Sequence, residues 1–344
     1  MCNIAGYVGR RNAVPILIEM LRRQEGLNGG FYSGLAVHDV DALSYRKVLG
    51  DVSTLVATTD AESLAGSMGI AHSRTPSGGD ASWAHPFVTE REGRVELCYV
   101  ANGSMGYFAG LSAEQARLAN ELVKSGYDIP CKLYNPNRTY LTLEDGAGVH
   151  MSDVMCQLIY KHRSEGKELP EAMTSAFIEL PSEIVGLAVE RTYPDRICFS
   201  RINKPMFVAF DEDGAYLASS PSGFPEHITK YKLLPPLSSG VVYRDRYEVE
   251  PYPCFHIKVR GFNRRTVELA KGIALELSES GECGVPNIAR ALKKKLRGAE
   301  LKQDYPATYI ALDELLRSGD IVAMQTETQS GGLVAPKTVF KRSI

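Results

Sequence analysis

Met1-Cys2-Asn3-Ile4-Ala5-Gly6-Tyr7-Val8-Gly9 opens the chain, and its second residue decides how the rest is read. Removal of Met1 would leave a thiol and a free α-amine on Cys2. A thiolate attacks carbonyl carbon well, but a free thiol is mostly protonated at neutral pH. An α-amine titrates near pKa ~8 and accepts that proton directly or through water. Cys2 would then be a nucleophile carrying its own base. Directly after it, Ile4 to Val8 reads as a buried strand. Asn12 is placed to cap a helix running to about Gln24, with Ile16, Ile18, Met20 and Leu21 supplying its apolar surface.

The whole chain bounds what that nucleophile serves. Its 344 residues, 44% hydrophobic and 23% charged, suit a large soluble domain plus a small one. A net charge of −2 gives no general attraction to nucleic acid or membrane. The apolar stretch Ala13 to Leu21 is too short to span a bilayer and is broken by Pro15 and Glu19, so no signal peptide or membrane span is expected. Seven cysteines, scattered and without a Cys-x-x-Cys pair, fit reduced thiols in a cytoplasm. The histidines show no ligand spacing, so neither a metal nor a cofactor is expected.

Short strand-like runs rich in Val, Ile, Tyr and Ala alternate with a few helices up to about residue 255. The stretch from Tyr127 to Val149, with Pro130, Pro136 and Gly146, reads as a long loop. After Pro253 the character changes. Residues 1–256 carry 24 Lys+Arg against 31 Asp+Glu, whereas residues 257–344 carry 15 against 10. Helical spacing of apolar residues marks Arg265 to Glu279, Val285 to Leu296 and Pro306 to Ser318, and strands at Ile321 to Thr326 and Leu333 to Phe340 flank a Ser330-Gly331-Gly332 hairpin signal. Three helices and a hairpin suggest a winged-helix-like module over 256–344, beside a domain over 1–255.

Four further blocks sharpen the first one. They are Leu21-Arg22-Arg23-Gln24-Glu25 leading to Gly34-Leu35-Ala36-Val37; Gly69-Ile70-Ala71-His72-Ser73-Arg74-Thr75-Pro76-Ser77-Gly78-Gly79 with Ala84-His85-Pro86-Phe87; Val100-Ala101-Asn102-Gly103; and Met151-Ser152-Asp153. In this order they resemble the class II glutamine amidotransferases, whose N-terminal-nucleophile domains form the glutaminase halves of glucosamine-6-phosphate synthase and amidophosphoribosyltransferase. The resemblance implies an α+β fold, the four-layer αββα sandwich of N-terminal-nucleophile hydrolases. It also implies an enzyme that hydrolyses L-glutamine through a Cys2 thioester.

On that resemblance each block has a chemical task. Asn102 and Gly103 match the oxyanion pair, a side-chain amide beside a glycine whose N–H comes close. Taken alone, Asn-Gly is commonly a hairpin turn. Arg74 matches the arginine that grips the α-carboxylate with its planar fork, and Ser77 adds a hydroxyl. Asp153 matches the aspartate that takes the α-ammonium, with Ser152 as the expected helix cap. Thr75 stands where the family often has a site-covering aromatic, and His85 sits in a His-Pro slot, where a packed, hydrogen-bonded core role is expected over contact with substrate. Asn28 replaces a usual arginine and Ala101 a usual histidine, which bears on how the site closes.

Family enzymes pass ammonia to a second domain that binds the acceptor, and 88 residues are too few for the known kinds. The expectation is an acceptor enzyme in trans, or self-association, through the C-terminal module. The alternatives are an amidohydrolase acting on another amide, or a transcriptional regulator with a degenerate amidotransferase sensor. DNA binding has Lys293-Lys294-Lys295 and Arg297 in its favour, but the segment that would recognise DNA carries Asp304, Asp313 and Glu314.

Overall fold

β1 (Asn3–Gly9) is hydrogen-bonded on both edges and sends alternate side chains into two different cores. Ile4 and Val8 join one apolar cluster, Ala5 and Tyr7 another, as an extended strand covered on both faces requires. The computed structural model describes residues 2–343 except 77, 135–139, 254 and 282.

The first sheet has seven strands, in spatial order β14 (Lys232–Leu233), β12 (Phe207–Phe210), β13 (Gly214–Ala218), β1, β4 (Met68–Arg74), β2 (Tyr32–Asp39) and β3 (Ala42–Leu49). The second has six: β16 (Tyr247–Pro251), β15 (Ser238–Tyr243), β11 (Arg196–Arg201), β10 (Glu183–Glu190), β6 (Arg94–Ser104) and β5 (Phe87–Arg91). Neighbouring strands in both run antiparallel. Ile4, Ile70, Val100, Leu187 and Phe199 meet between the two sheets. On the outer face of the first sheet lies α1 (Ala13–Gln24), and the outer face of the second is covered by α3 (Ser112–Lys124), α4 (Met151–Ser164) and α5 (Leu169–Glu179). The layers therefore run helix, sheet, sheet, helix.

Local chemistry sets the element ends. Asn12 caps α1 by accepting from Val14 N (3.2 Å), as the sequence indicates. α2 (Val52–Thr58), capped by Asp51, is an element the sequence reading lacks, because seven residues carry too little periodicity to register. The stretch expected as a bare loop instead holds a small sheet of β7 (Lys132–Leu133), β9 (Gly148–Val149) and β8 (Leu141–Thr142).

Beyond residue 256 come α6 (Arg264–Glu279), α7 (Val285–Lys295) and α8 (Asp304–Ser318), then the hairpin of β17 (Ile321–Ser330) and β18 (Leu333–Arg342). Gly331 and Gly332 have φ of 59° and 79°, the left-handed conformations a tight two-residue turn needs. These elements do not stand apart from the rest. Leu17, Met20 and Phe224 share one apolar cluster with Ile273, Ile288, Leu312 and Phe340. The expected boundary near 256 thus falls within a chain whose two sides build a common core. Among the described residues no helix is long and apolar enough to cross a membrane.

Candidate active site

Counting along the strands places the chemistry. Ile4, Ile70 and Val100 point into the space between the sheets, so residues an even number of positions away on β1, β4 and β6 share that side. Following this parity to one end of the sandwich brings Cys2, His72, Arg74 and Asn102 to the same place. Asn102 brackets Cys2: its Oδ1 accepts from Cys2 N (3.1 Å) and its Nδ2 donates to Cys2 O (2.9 Å). Asn102 and Gly103 are strand residues opposite Val185 and Ile184, not a turn. A Cβ on Gly103 would come within 2.9 Å of the Ile184 side chain, so the close approach of β10 requires glycine.

The thiol environment favours ionisation. Burial pushes the Cys2 thiol up, but the hydrogen bond and charge of His72, with the Thr75 backbone, bring it down to about 6. His72 Nε2 is 2.9 Å from Ala101 O, to which it donates. Thr75 Oγ1 lies 3.7 Å from Cys2 Sγ. Arg74 is buried, its guanidinium 4.5 Å from the Tyr32 ring centroid and its Nη1 donating to Trp83 O (3.0 Å). Burial lowers its pKa, opposed by the negative charge of Cys2.

Asp153 lies in the first turn of α4, fully buried. Its Oδ2 accepts from Cys131 N (3.2 Å), while Oδ1 has no hydrogen-bond partner. Burial pushes this carboxyl up to about 6, against the pull of Cys131 and the Lys47 ammonium. The helix cap is not Ser152 but His150, whose Nδ1 accepts from Ser152 N (3.1 Å); Ser152 is already inside the helix. His85 is packed as expected but not hydrogen-bonded: both ring nitrogens lack partners, and the ring stacks on His72 with centroids 3.9 Å apart. Desolvation holds it well below the usual histidine range, so it stays neutral. Ser77 lies outside the described residues.

The structure adds residues the motifs do not single out. His72 sits within a quoted block, and the strand parity that aligns it with Arg74 would have found it. Glu25 is buried, its Oε1 accepting from Val52 N (3.0 Å) and Ser73 Oγ (3.0 Å); burial raises it to about 7. Tyr309 of α8 accepts from Asn28 Nδ2 (2.7 Å), a contact across 281 positions that no local pattern contains. Among the described residues no group of three or more His, Cys, Asp or Glu could hold a metal ion.

Comparison with known proteins adds a family context. No family model matches the chain. It is 28% identical over 250 residues to the glutamine–fructose-6-phosphate aminotransferase (isomerizing) of Bacteroides thetaiotaomicron, covering 72% of this chain and 36% of that one. The enzyme of the same name from Corynebacterium efficiens is 30% identical over 261 residues, 73% of this chain and 38% of that one. The chain thus spans little more than a third of the length of these relatives. Among solved structures, the glutamine phosphoribosylpyrophosphate amidotransferase from B. subtilis, complexed with ADP and GMP, superposes with a TM-score of 0.60. It is 14% identical and is matched over 94% of this chain and 66% of its own. A structure described as the allosteric regulatory enzyme of purine biosynthesis gives the same TM-score at 16% identity, over 80% and 58%. At such identities the structural likeness concerns the fold. Taken with the ordered motifs, these likenesses make the chain a relative of the class II, N-terminal-nucleophile glutamine amidotransferases.

Proposed function

We propose that this chain hydrolyses the side-chain amide of glutamine through a thioester on Cys2. The observation that carries the reading is the bracketing of Cys2 by Asn102, which fixes the nucleophile's backbone at the mouth of the sandwich. With Met1 removed, the Cys2 nitrogen becomes an α-amine. It holds the proton given up by the thiol while the thiolate Sγ bonds to the amide carbon, then gives that proton to the leaving nitrogen so that ammonia departs. Water next attacks the γ-glutamyl thioester, releasing glutamate and restoring the thiol. Asn102 Nδ2 and the Gly103 N–H serve as oxyanion donors. Arg74, with Ser77 and Thr75, takes the α-carboxylate, and the bare Oδ1 of Asp153 takes the α-ammonium. His85 contributes by packing under His72.

Ammonia released into neutral water is protonated and lost as a nucleophile, so hydrolysis in the service of synthesis needs an acceptor close by. In this reading the acceptor enzyme is a separate subunit. The regulator alternative draws on the exposed Lys293-Lys294-Lys295 run. Against it, α8, the helix that would recognise DNA, is spent on the protein core: Asp304 and Asp313 are buried, and Asp313 Oδ2 accepts from Tyr231 OH (2.7 Å).

A glutamine analogue bearing an electrophile tests the assignment. Cys2 is expected to be modified first among the seven thiols, in protein whose intact mass lacks Met1, with loss of glutamate and ammonia production. Modification at another cysteine with Cys2 untouched defeats it. DNA retention at physiological salt without any hydrolysis would move the chain to the regulator class.

A further inference from the structure

The segment from Glu25 to Phe31 joins α1 to β2 and is held from two sides. From the amidotransferase side, Asn3 Nδ2 donates to the carbonyls of Gln24 (2.9 Å) and Asn28, Gly30 N donates to Ser73 Oγ (2.8 Å), and Phe31 N to Arg74 O (3.1 Å). From the C-terminal side, Thr338 N donates to Gly26 O (2.8 Å), and Asn28 Nδ2 donates to Tyr309 OH (2.7 Å). Asn28 and Tyr309 are both buried. Hydrogen bonds therefore run from Tyr309 to Asn28 and from Asn28 to Asn3, the residue next to the nucleophile.

Such a segment needs outside restraint. Gly26, Gly29 and Gly30 all have φ between 80° and 89°, and glycine-rich backbone loses the most freedom on being fixed. The contacts that fix it are buried bonds rather than a surface brush. The phenols of Tyr305 and Tyr309 are pushed up mainly by burial and partly by the Cys2 charge, which puts the start of α8 within electrostatic reach of the thiol.

We propose that Tyr309 is a positioning residue of this site: supplied by the C-terminal elements, it fixes the Glu25–Phe31 segment through Asn28 and closes, in cis, the wall beside Cys2. This rests on the glutamine-hydrolysis reading for its kinetic consequence, but not for its effect on access to the thiol. The role explains why a carboxamide suffices where related domains usually carry an arginine. The closing contact comes from a tyrosine hydroxyl at short range.

Tyr309→Phe keeps the ring and its packing and removes one hydroxyl. It is expected to raise the glutamine KM about tenfold with kcat within about twofold, and to speed alkylation of Cys2 by iodoacetamide severalfold, at unchanged secondary structure. Asn28→Ala should do the same, and the double variant no more than either alone, because the two groups act through one bond. Unchanged KM and alkylation rate in Tyr309→Phe, or effects of the two substitutions that multiply, overturns the proposal. If the unmodified protein shows no hydrolysis, the glutaminase reading falls, and alkylation alone then decides whether Tyr309 controls the wall beside Cys2.

Discussion

At the scale of single residues, the half-satisfied carboxylate of Asp153 is the feature with the clearest pH consequence. One oxygen is bonded to Cys131 N and the other is bare, in a site where burial raises the carboxyl to about 6. An α-ammonium would pair with the ionised form only. Glutamine binding is then insensitive to pH above about 6 and weakens as pH falls through that value, approaching tenfold per unit well below it. The expected outcome is a KM that is flat from pH 7 to 8 and climbs below 6, with kcat less affected. Asp153→Asn should raise KM at pH 7.5 and abolish the climb. A KM independent of pH in both proteins would move the ammonium site elsewhere.

At the scale of elements, the site is a product of where strands end. β1, β4 and β6 run side by side or face to face, and the same parity that buries Ile4, Ile70 and Val100 delivers Cys2, Arg74 and Asn102. α8 is anchored by a different device at the exit of β11. The buried Arg201 guanidinium donates to the carbonyls of Lys204, Asn203 and Leu234 and to Gln303 Oε1 (2.6 Å), all neutral oxygens. Burial, with no anionic partner among the described residues, pulls its pKa down to about 9. Each acceptor therefore matters, since a donor orphaned at a fully buried position carries its desolvation cost without a compensating bond. Gln303→Ala is expected to lower stability by about 1–3 kcal/mol in urea or thermal unfolding, without altering Cys2 chemistry directly. A change within experimental error would mean that solvent or a neighbour replaces Oε1.

At the scale of the whole molecule, the C-terminal helices complete a core instead of hanging from one. Leu17 and Met20 on α1 belong to the same apolar cluster as residues of α6, α7 and α8, and Glu183 pairs with Lys204 on the domain side and Lys293 on the other. Truncation after residue 256 would uncover the part of that cluster left on the remaining elements while removing Tyr309 and the β18 contact to Gly26. The truncated chain is expected to bind hydrophobic dyes, aggregate and lose a cooperative melting transition. If it instead melts cooperatively near the full chain's temperature, the amidotransferase layers stand alone and the shared core is dispensable. Partner docking, if the acceptor subunit binds here, has to use the outward surfaces, because the inward faces of the three helices are occupied.

The order of the motifs and the alternation of apolar residues were enough to indicate the α+β class, the amidotransferase kinship, and most strands and helices. These depend on local periodicity and on residue chemistry that survives without context. The cap of α1 by Asn12 and the three C-terminal helices belong to the same class, each set by a few neighbouring residues. Only the tertiary structure brought His72 against the Cys2 thiol and replaced Ser152 by His150 as the cap of α4. It alone placed Tyr309 on Asn28 across 281 positions. Those contacts join segments far apart in the chain, and their existence depends on how two sheets and three helices pack. Neither spacing nor propensity encodes such packing, because the energy of a buried bond is decided by which distant group arrives to meet it.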